Sequence, residues 1–318
     1  MDIVATDIGG TNARVAILKD NNIKFIKIYP TREFNSAVEL FDKFFKDYGN
    51  NPPKYMAVAA AGICENGKII ATNYPWIIRK DELIEAFKLE KCLLLNDFEA
   101  SAWGLLTIDK DSLYQLGGKE PSKNGVKAIL GAGTGLGEAI LAKLNDKWHV
   151  FRTEGGHCNF APNSDEEIEL LRFLKKKYQH VSFETVLSGK GLLNIYSFLE
   201  KKFGIVDKIY HPKEITLKAK NNNDLCLYCI NLFCRIYGQE AGNLALKSMA
   251  TGGVYIYGGI VKHIFEILIR SEFRSEFENK GAMEKLLKNI PVFIVNEPYL
   301  ALFGGAYCLT YTSMPKAS

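Results

Sequence analysis

The sequence predicts a two-domain α/β protein. Three observations carry that reading. The chain has 318 residues, more than one domain of ordinary size requires. Short apolar, β-type runs alternate with segments whose apolar residues fall at helical spacing. One architecture also occurs twice, a strand, a glycine loop and a second strand, in "DIVATDIGGTNARVAILKD" and in "VKAILGAGTGLGEAILAKL". Two such hairpins about 120 residues apart suggest two related halves that face each other.

The elements follow in order. An apolar run over 3–6 ends at Asp7, and Gly9, Gly10, Thr11 and Asn12 make a loop. "ARVAIL" then continues as a strand, with no helix-start signal. "NNIKFIKIY" is a third strand after an Asp-Asn-Asn turn. Ala37, Phe41, Phe44, Phe45 and Tyr48 mark a helix, with Asn35 or Ser36 as N-cap and Gly49 as stop. "YMAVAAAG" and "KIIAT" read as strands around an Asn66-Gly67 turn. "KDELIEAFK" is helical, and "CLLLNDFEASAWGLL" passes from a buried strand into a helix. After the second glycine hairpin an Asn145-Asp146 turn leads to "WHVFR". The second half is mostly helical. Ser164 and Glu167 stand at capping-box spacing before "IELLRFLKKKY". "NDLCLYCINLFCRIYGQEAGNLALKSMA" reads as one long buried helix, "GGVYIYGGIV" as a short strand between glycine pairs, "PVFIVNE" as the last strand and "PYLALFGGAYCLTYT" as the last helix. The polar stretch "FGIVDKIYHPKEITLKAKNNND" reads as a surface segment.

Composition excludes several function classes. Hydrophobic residues make up 47% and charged residues 24%, ordinary for a globular protein. The net charge of +4, from 40 basic and 36 acidic residues, is small and spread along the chain. It predicts neither a nucleic-acid face nor a membrane face. The N-terminus lacks the pattern of a signal peptide, and no apolar run reaches the ~18 residues a membrane span needs. Seven scattered cysteines without an export signal read as reduced thiols in a cytoplasm. Cys226 and Cys229 have a zinc-like spacing, but no second pair follows and their segment is apolar, so they read as core.

Four segments carry chemistry. "LGAGTGLG" has glycines at 131, 133, 135 and 137 but fails the dinucleotide fingerprint, since Leu136 replaces the third glycine and a strand follows. It is either an anion-binding nest of backbone amides helped by Thr134 or a turn with no ligand. "DIGGTN" shifts that balance. Gly9 and Gly10 permit close approach, Thr11 and Asn12 add donors, and Asp7 stands where a hydrated divalent metal on phosphates would lie. Two such loops can grip a nucleotide's phosphates from both sides. Asp97, beside Asn96 at the end of an apolar strand, either accepts a proton from a substrate hydroxyl or caps the helix that starts at Phe98. Glu154 and His157, across two glycines, can both reach one polar ligand, and His157 has no metal-binding context. Glu184 is either a further ligand or a first-turn acid complementing a helix dipole.

In this order, "DIGGTNARVA", "TNYPW", "LNDFEA", "GAGTGLG", "EGGHCNFAPNSDEE", "ETVLSGKGL", "GNLAL" and "GGVYIYGGI" resemble the bacterial glucokinase family, within the sugar kinase, actin and heat-shock ATPase superfamily. The resemblance runs nearly end to end. It implies a two-domain actin-like ATPase (ribonuclease H-like) fold. A small α/β domain, 1–108 plus 298–318, would face a larger α+β domain, 109–297, across a cleft. It also implies phosphorylation of D-glucose by ATP with magnesium, feeding glycolysis, in a cytoplasmic homodimer. By motif, Asp97 resembles the general base, and Asn96, Glu154, His157 and Glu184 resemble ligands of the sugar. Asp7, Gly9, Gly10, Thr11 and Asn12 match the first phosphate segment, Gly133 and Thr134 the second, and Gly258 and Gly259 the adenosine segment. Cys158 stands alone where the related repressor family has a zinc-binding cysteine cluster, so the resemblance is to the zinc-free glucokinases. A kinase for mannose or fructose is the nearest alternative. A non-catalytic sugar sensor is another, although a first strand at Asp2 leaves no room for a DNA-binding helix-turn-helix. A nicotinamide oxidoreductase is weakened by the missing fingerprint.

Overall fold

The computed structural model describes residues 1–71 and 74–312, so Thr72 and Asn73 of "TNYPW" lie outside the described residues. The chain divides into two compact units, one of Met1–Lys110 together with the C-terminal segment from Glu297, the other of Asp111–Asn296.

The first unit opens with a meander of β1 (Asp2–Ile8), β2 (Asn12–Lys19) and β3 (Asn22–Pro30). Asp20 and Asn21 turn the chain with φ of 51° and 60°, the left-handed pair that a two-residue hairpin needs. Helix α1 (Ala37–Tyr48) is capped by the Ser36 side chain and closed by Gly49, as its sequence predicts. β4 (Tyr55–Ala60) follows. The Asn66-Gly67 turn does not join β4 to the next strand, as the sequence suggested. It joins β5 (Ile63–Glu65) to β6 (Lys68–Ile70) in a separate small sheet that β7 (Ile77–Arg79) completes. Three-residue strands give too little alternation to be read from sequence. Helix α2 (Lys80–Phe87), strand β8 (Lys91–Asn96) and helix α3 (Asp97–Gly104) end this part. The main sheet has the order β3-β2-β1-β4-β8.

The second unit repeats that plan. After β9 (Leu113–Gln115) come β10 (Lys127–Ala132), β11 (Leu136–Leu144) and β12 (Lys147–Thr153). Helices α4 (Asp165–Leu174), α5 (Phe183–Val186), α6 (Gly189–Phe203), α7 (Pro212–Lys220) and the 25-residue α8 (Asp224–Ser248) then cover the sheet. Strand β13 (Val254–Tyr257), helices α9 (Gly259–Leu268), α10 (Phe273–Glu278) and α11 (Glu284–Asn289), and β14 (Val292–Val295) complete the unit. The order β12-β11-β10-β13-β14 reproduces the first sheet strand for strand, with β9 added at the edge. The polar stretch read as a surface segment is in part the helix α7, which buries Ile215, Thr216 and Ala219. Its mostly charged exposed face hid a three-residue apolar seam. Helix α12 (Leu300–Tyr311) returns to the first unit.

The central strands of the two large sheets are buried on both faces, which is why they read as continuous apolar runs. In β1, Val4 and Ile8 point into one cluster with Phe41 and Phe44 of α1, while Ile3 and Ala5 point into another with Leu302 and Leu309 of α12. Alanines 5, 16 and 57 let α12 lie close to the sheet. The core of the second unit centres on α8, including the buried Cys226, Cys229 and Cys234. Burial pushes all three thiols above the ordinary range. No metal-holding group of His, Cys, Asp and Glu occurs among the described residues, so their helical, apolar context decides their role. No described helix is long and apolar enough to cross a membrane.

Candidate active site

In the first unit the candidate residues gather at one edge. β1, β4 and β8 run parallel, with Asp7 level with Ala59 and Leu95, and Ile8 level with Ala60 and Asn96. Asp7 and the Asn96-Asp97 pair therefore lie at the carboxyl ends of strands two apart, about 10 Å by ordinary strand spacing. Ligands of open α/β sheets bind at that edge.

The loop from Gly9 to Asn12 is tight. Gly9 N donates to Asn12 O at 2.9 Å, and buried Thr31 fastens the loop from the next strand. Its hydroxyl donates to Gly9 O at 2.7 Å and its amide to Thr11 O at 3.0 Å. With those carbonyls occupied, the exposed side chains of Thr11 and Asn12 remain at the tip. Asp7 is ion-paired with Arg14 at 2.6 Å. The sequence reading missed Arg14, yet the signal was present, because a hairpin about the loop places Asp7 opposite Arg14 in the register.

Asn96 and Asp97 divide the work that the sequence left open. The cap is Asn96: its Oδ1 accepts from Phe98 N at 2.9 Å and Glu99 N at 3.3 Å. Its Nδ2 donates to Gly62 O at 3.2 Å, leaving one amide hydrogen for a ligand. Asp97 is the first residue of α3 and accepts from Phe98 N at 3.0 Å. A carboxylate at a helix N-terminus is favoured in its charged form, the form a base requires. Beside it Tyr74, raised in pKa by burial and then by the charge of Asp97, packs against Trp76 with ring centroids 4.4 Å apart and planes tilted by 42°. The Tyr74 hydroxyl and the Trp76 Nε1 are buried without a hydrogen-bond partner among the described residues.

In the second unit the same edge collects the remaining candidates. β10 and β13 are parallel, with Gly131 level with Tyr257, so Gly133-Thr134 and Gly258-Gly259 leave adjacent strand ends. Glu154 leaves β12 at this end, one residue beyond Thr153, which pairs with Glu138. Glu154 and His157 are well exposed, at 77% and 60% of their side chains, with Oε2 and Nε2 4.0 Å apart. Glu184 Oε2 accepts from Leu136 N at 2.9 Å, so this acid ties α5 to the glycine loop instead of merely facing a helix end. That bond explains Gly135, since a Cβ there would overlap Glu184 Oε2. Gly133 is different, with no protein atom within 4 Å of an added Cβ. Gly133 therefore has the open surroundings that ligand approach requires, and so does Gly259. Gly189, first residue of α6, donates to Gly133 O at 2.8 Å, and the buried Tyr237 hydroxyl bridges Leu130 O and Ala132 N at 3.2 Å each. Sequence reasoning missed Tyr237, whose helical, apolar context shows only a core residue.

The Ser164 cap is also modified. Ser164 accepts from Glu167 N, but Glu167 Oε2 accepts from Asn163 N at 2.6 Å, one residue before the cap. Buried Glu167 meets Arg235 and Gln239 with its other oxygen.

A family model described as Glucokinase matches residues 4–312. The chain belongs to the glucokinase family. It is 37% identical over 306 residues to a glucokinase of Campylobacter jejuni subsp. doylei, covering 95% of this chain and 92% of that one. The crystal structure of a glucokinase from an Antarctic psychrotroph superposes with a TM-score of 0.86 at 31% identity, covering 97% and 98% of the two chains. A glucokinase from Streptomyces griseus in complex with glucose and AMPPNP shares the fold, with a TM-score of 0.69 at 18% identity over 96% and 98% of the chains. The fold is thus the two-domain actin-like ATPase fold that the family resemblance implied.

Proposed function

We propose that this chain is an ATP-dependent glucokinase, transferring the γ-phosphoryl group of ATP to the 6-hydroxyl of D-glucose in the cytoplasm, at the entry to glycolysis. The observation that carries the reading is the meeting of the Gly9–Asn12 loop and Asp97 at one carboxyl edge of parallel strands in a chain of this family. The two domains are taken as 1–108 with 298–318, and 109–297, and the enzyme as a homodimer.

In this mechanism Asp97 takes the proton of the 6-hydroxyl as that oxygen attacks the γ-phosphorus and the bond to the ADP oxygen breaks. Asn96 offers its remaining amide hydrogen to the sugar, and Glu154, His157 and Glu184 read its other hydroxyls. A site built to bond hydroxyls rejects analogues that lack them. Asp7, Gly9, Gly10, Thr11 and Asn12 hold the phosphates, together with Gly133 and Thr134. Gly258 and Gly259 receive the adenosine. Asp7, already paired with Arg14, and the absence of a three-ligand cluster among the described residues fit magnesium carried on the nucleotide, within reach of Asp7 through its waters. When bound there it would offset charge on the β- and γ-phosphates.

The test is a matrix of sugars against phosphoryl donors in a coupled assay. The expected outcome is turnover with glucose and MgATP above mannose and fructose. Glucose binding without turnover, with or without ATP, would make the chain a sensor.

A further inference from the structure

Beneath the turn that carries Glu154 and His157 lie two acids outside the chemistry described so far. Glu138 on β11 is 3% exposed and Glu240 on α8 is 0% exposed. Their carboxyls come within hydrogen-bonding reach of each other. Yet Glu138 Oε1 and Glu240 Oε1 have no hydrogen-bond partner among the described residues, Lys247 Nζ standing 3.7 Å from the latter, and two ionised carboxylates cannot bond. One proton between them satisfies both oxygens at once. We propose that Glu138 and Glu240 share a proton, and that this buried pair is the platform that positions the Glu154–His157 turn for sugar binding. The inference rests on the roles given above to Glu154 and His157.

The connection to the turn is direct. Glu138 Oε2 packs against Gly155, where an added Cβ would overlap it. Thr153 Oγ1 donates to Glu138 O at 3.2 Å and accepts from Gly155 N at 3.3 Å. On the opposite side Glu240 Oε2 accepts from Asn243 Nδ2 at 2.9 Å, and Lys247 Nζ lies 3.7 Å from Glu240 Oε1. Lys280 donates to Asn243 Oδ1 and to Gln239 O, at 2.9 Å each. The platform is thus held to α8 from below, and the sugar-binding turn sits on top.

The charged and titratable groups around it come from each packed element. α8 supplies Glu240, Lys247 and Tyr237, whose phenol feels Glu138. The segment after α10 supplies Lys280, which also feels Glu167 and Glu276. Burial, and then the charge of Glu240, push Glu138 up to about 8, with Lys247 opposing. Burial raises Glu240 too, against Asn243, Lys247 and Lys280. Above that range the shared proton goes to solvent. Two like charges then face each other with no proton between them, and the contact between Glu138 and Gly155 is where the repulsion acts on the turn.

Two measurements on the intact protein test this. The first is glucose affinity by calorimetry without nucleotide, from pH 7 to 9.5. The wild type should lose at least about fivefold in affinity as pH passes 8, while Glu138→Gln, neutral at every pH, should show a flat profile. The KM for MgATP should not follow this trend in either protein. The second is Tm against pH without any substrate. The folded-state pKa of Glu138 is raised above its ordinary 4.5, so its contribution is complete below that value and lost as pH climbs to about 8. The Tm of the wild type should therefore fall relative to Glu138→Gln across that window and run level above it. Equal slopes for the two proteins overturn the shared proton. A flat wild-type glucose profile beside a pH-dependent Tm difference overturns the positioning role. Glu240→Gln provides the same comparison if Glu138→Gln does not fold. A wild type that does not bind glucose at all refutes the functional reading instead, and the Tm arm still decides the shared proton.

Discussion

The two glycine hairpins have the same strands in the same order but are held in opposite ways. The first is self-contained: Thr31, at the end of its own third strand, fastens the loop, and the charge of Asp7 is met by Arg14 across the same hairpin. The second is held from outside, by Glu184 of α5 on Leu136 and by Gly189 of α6 on Gly133. Its acid, Glu138, points away from the loop into the core. A duplicated topology therefore does not duplicate the means of support. In the first unit the loop proposed for phosphate is held by Thr31 and by the Asp7–Arg14 pair, none of them proposed for the sugar. In the second, a residue assigned to the sugar also holds the phosphate loop.

The largest expected effect is at Asp97. Asp97→Asn should reduce kcat by about 100- to 10,000-fold, the usual range for losing a general base, with glucose affinity by calorimetry within about threefold of wild type. Near-normal turnover in a folded variant would remove Asp97 from the mechanism and leave the first unit with a phosphate loop only.

Next are the two acids of the second unit, which separate support from contact. Glu154 is exposed, with His157 Nε2 4.0 Å away, so Glu154→Ala should raise the glucose KM about tenfold or more and leave Tm and the KM for MgATP unchanged. Glu184→Ala also leaves the buried amide of Leu136 without its acceptor, so it should raise the KM for both substrates. An unchanged ATP KM in Glu184→Ala would break the contrast between the hairpins.

Arg14→Ala probes the self-contained loop. Its pair with Asp7 is partly exposed, so stability should hardly change. The KM for MgATP should shift a few-fold as Asp7 loses its counter-charge, with the glucose KM constant. A matching shift in the glucose KM would show that the first loop, too, is coupled to the sugar.

These contrasts also mark where the sequence was readable. Strand, loop and cap chemistry are local, so the hairpins, the Ser36 cap and the Gly49 stop of α1 were legible in short windows. The gathering of candidates at strand ends was legible in part, because each motif closes an apolar run. Pairings across the fold were not. Nothing near Gly135 announces that Glu184, 49 residues later, fills the space a side chain would take. Glu138 looked like any charged residue in a strand, and only the packing of α8 brings Glu240 beneath it. Short strands such as β7 and β9, and the thin apolar seam of α7, fell below the length at which periodicity speaks.

The smallest effect concerns a buried group that the two units treat differently. In the second unit an orphaned carboxyl finds its partner in another acid. In the first, the hydroxyl of Tyr74, a residue 7% exposed, finds none among the described residues. Burial and the charge of Asp97 hold it neutral across the physiological range, so the phenol acts on its surroundings as a dipole and never as a charge. Tyr74→Phe removes that polar atom and keeps the ring packed against Trp76. Such a change is neutral or slightly stabilising, so Tm should stay level or rise by about 1–3 °C, with kcat within about twofold of wild type. If kcat instead falls tenfold at an unchanged Tm, the hydroxyl finds its partner only in the reacting complex. Tyr74 would then join Asp97 in the chemistry, and the self-contained character of the first unit would extend from its phosphate loop to its base.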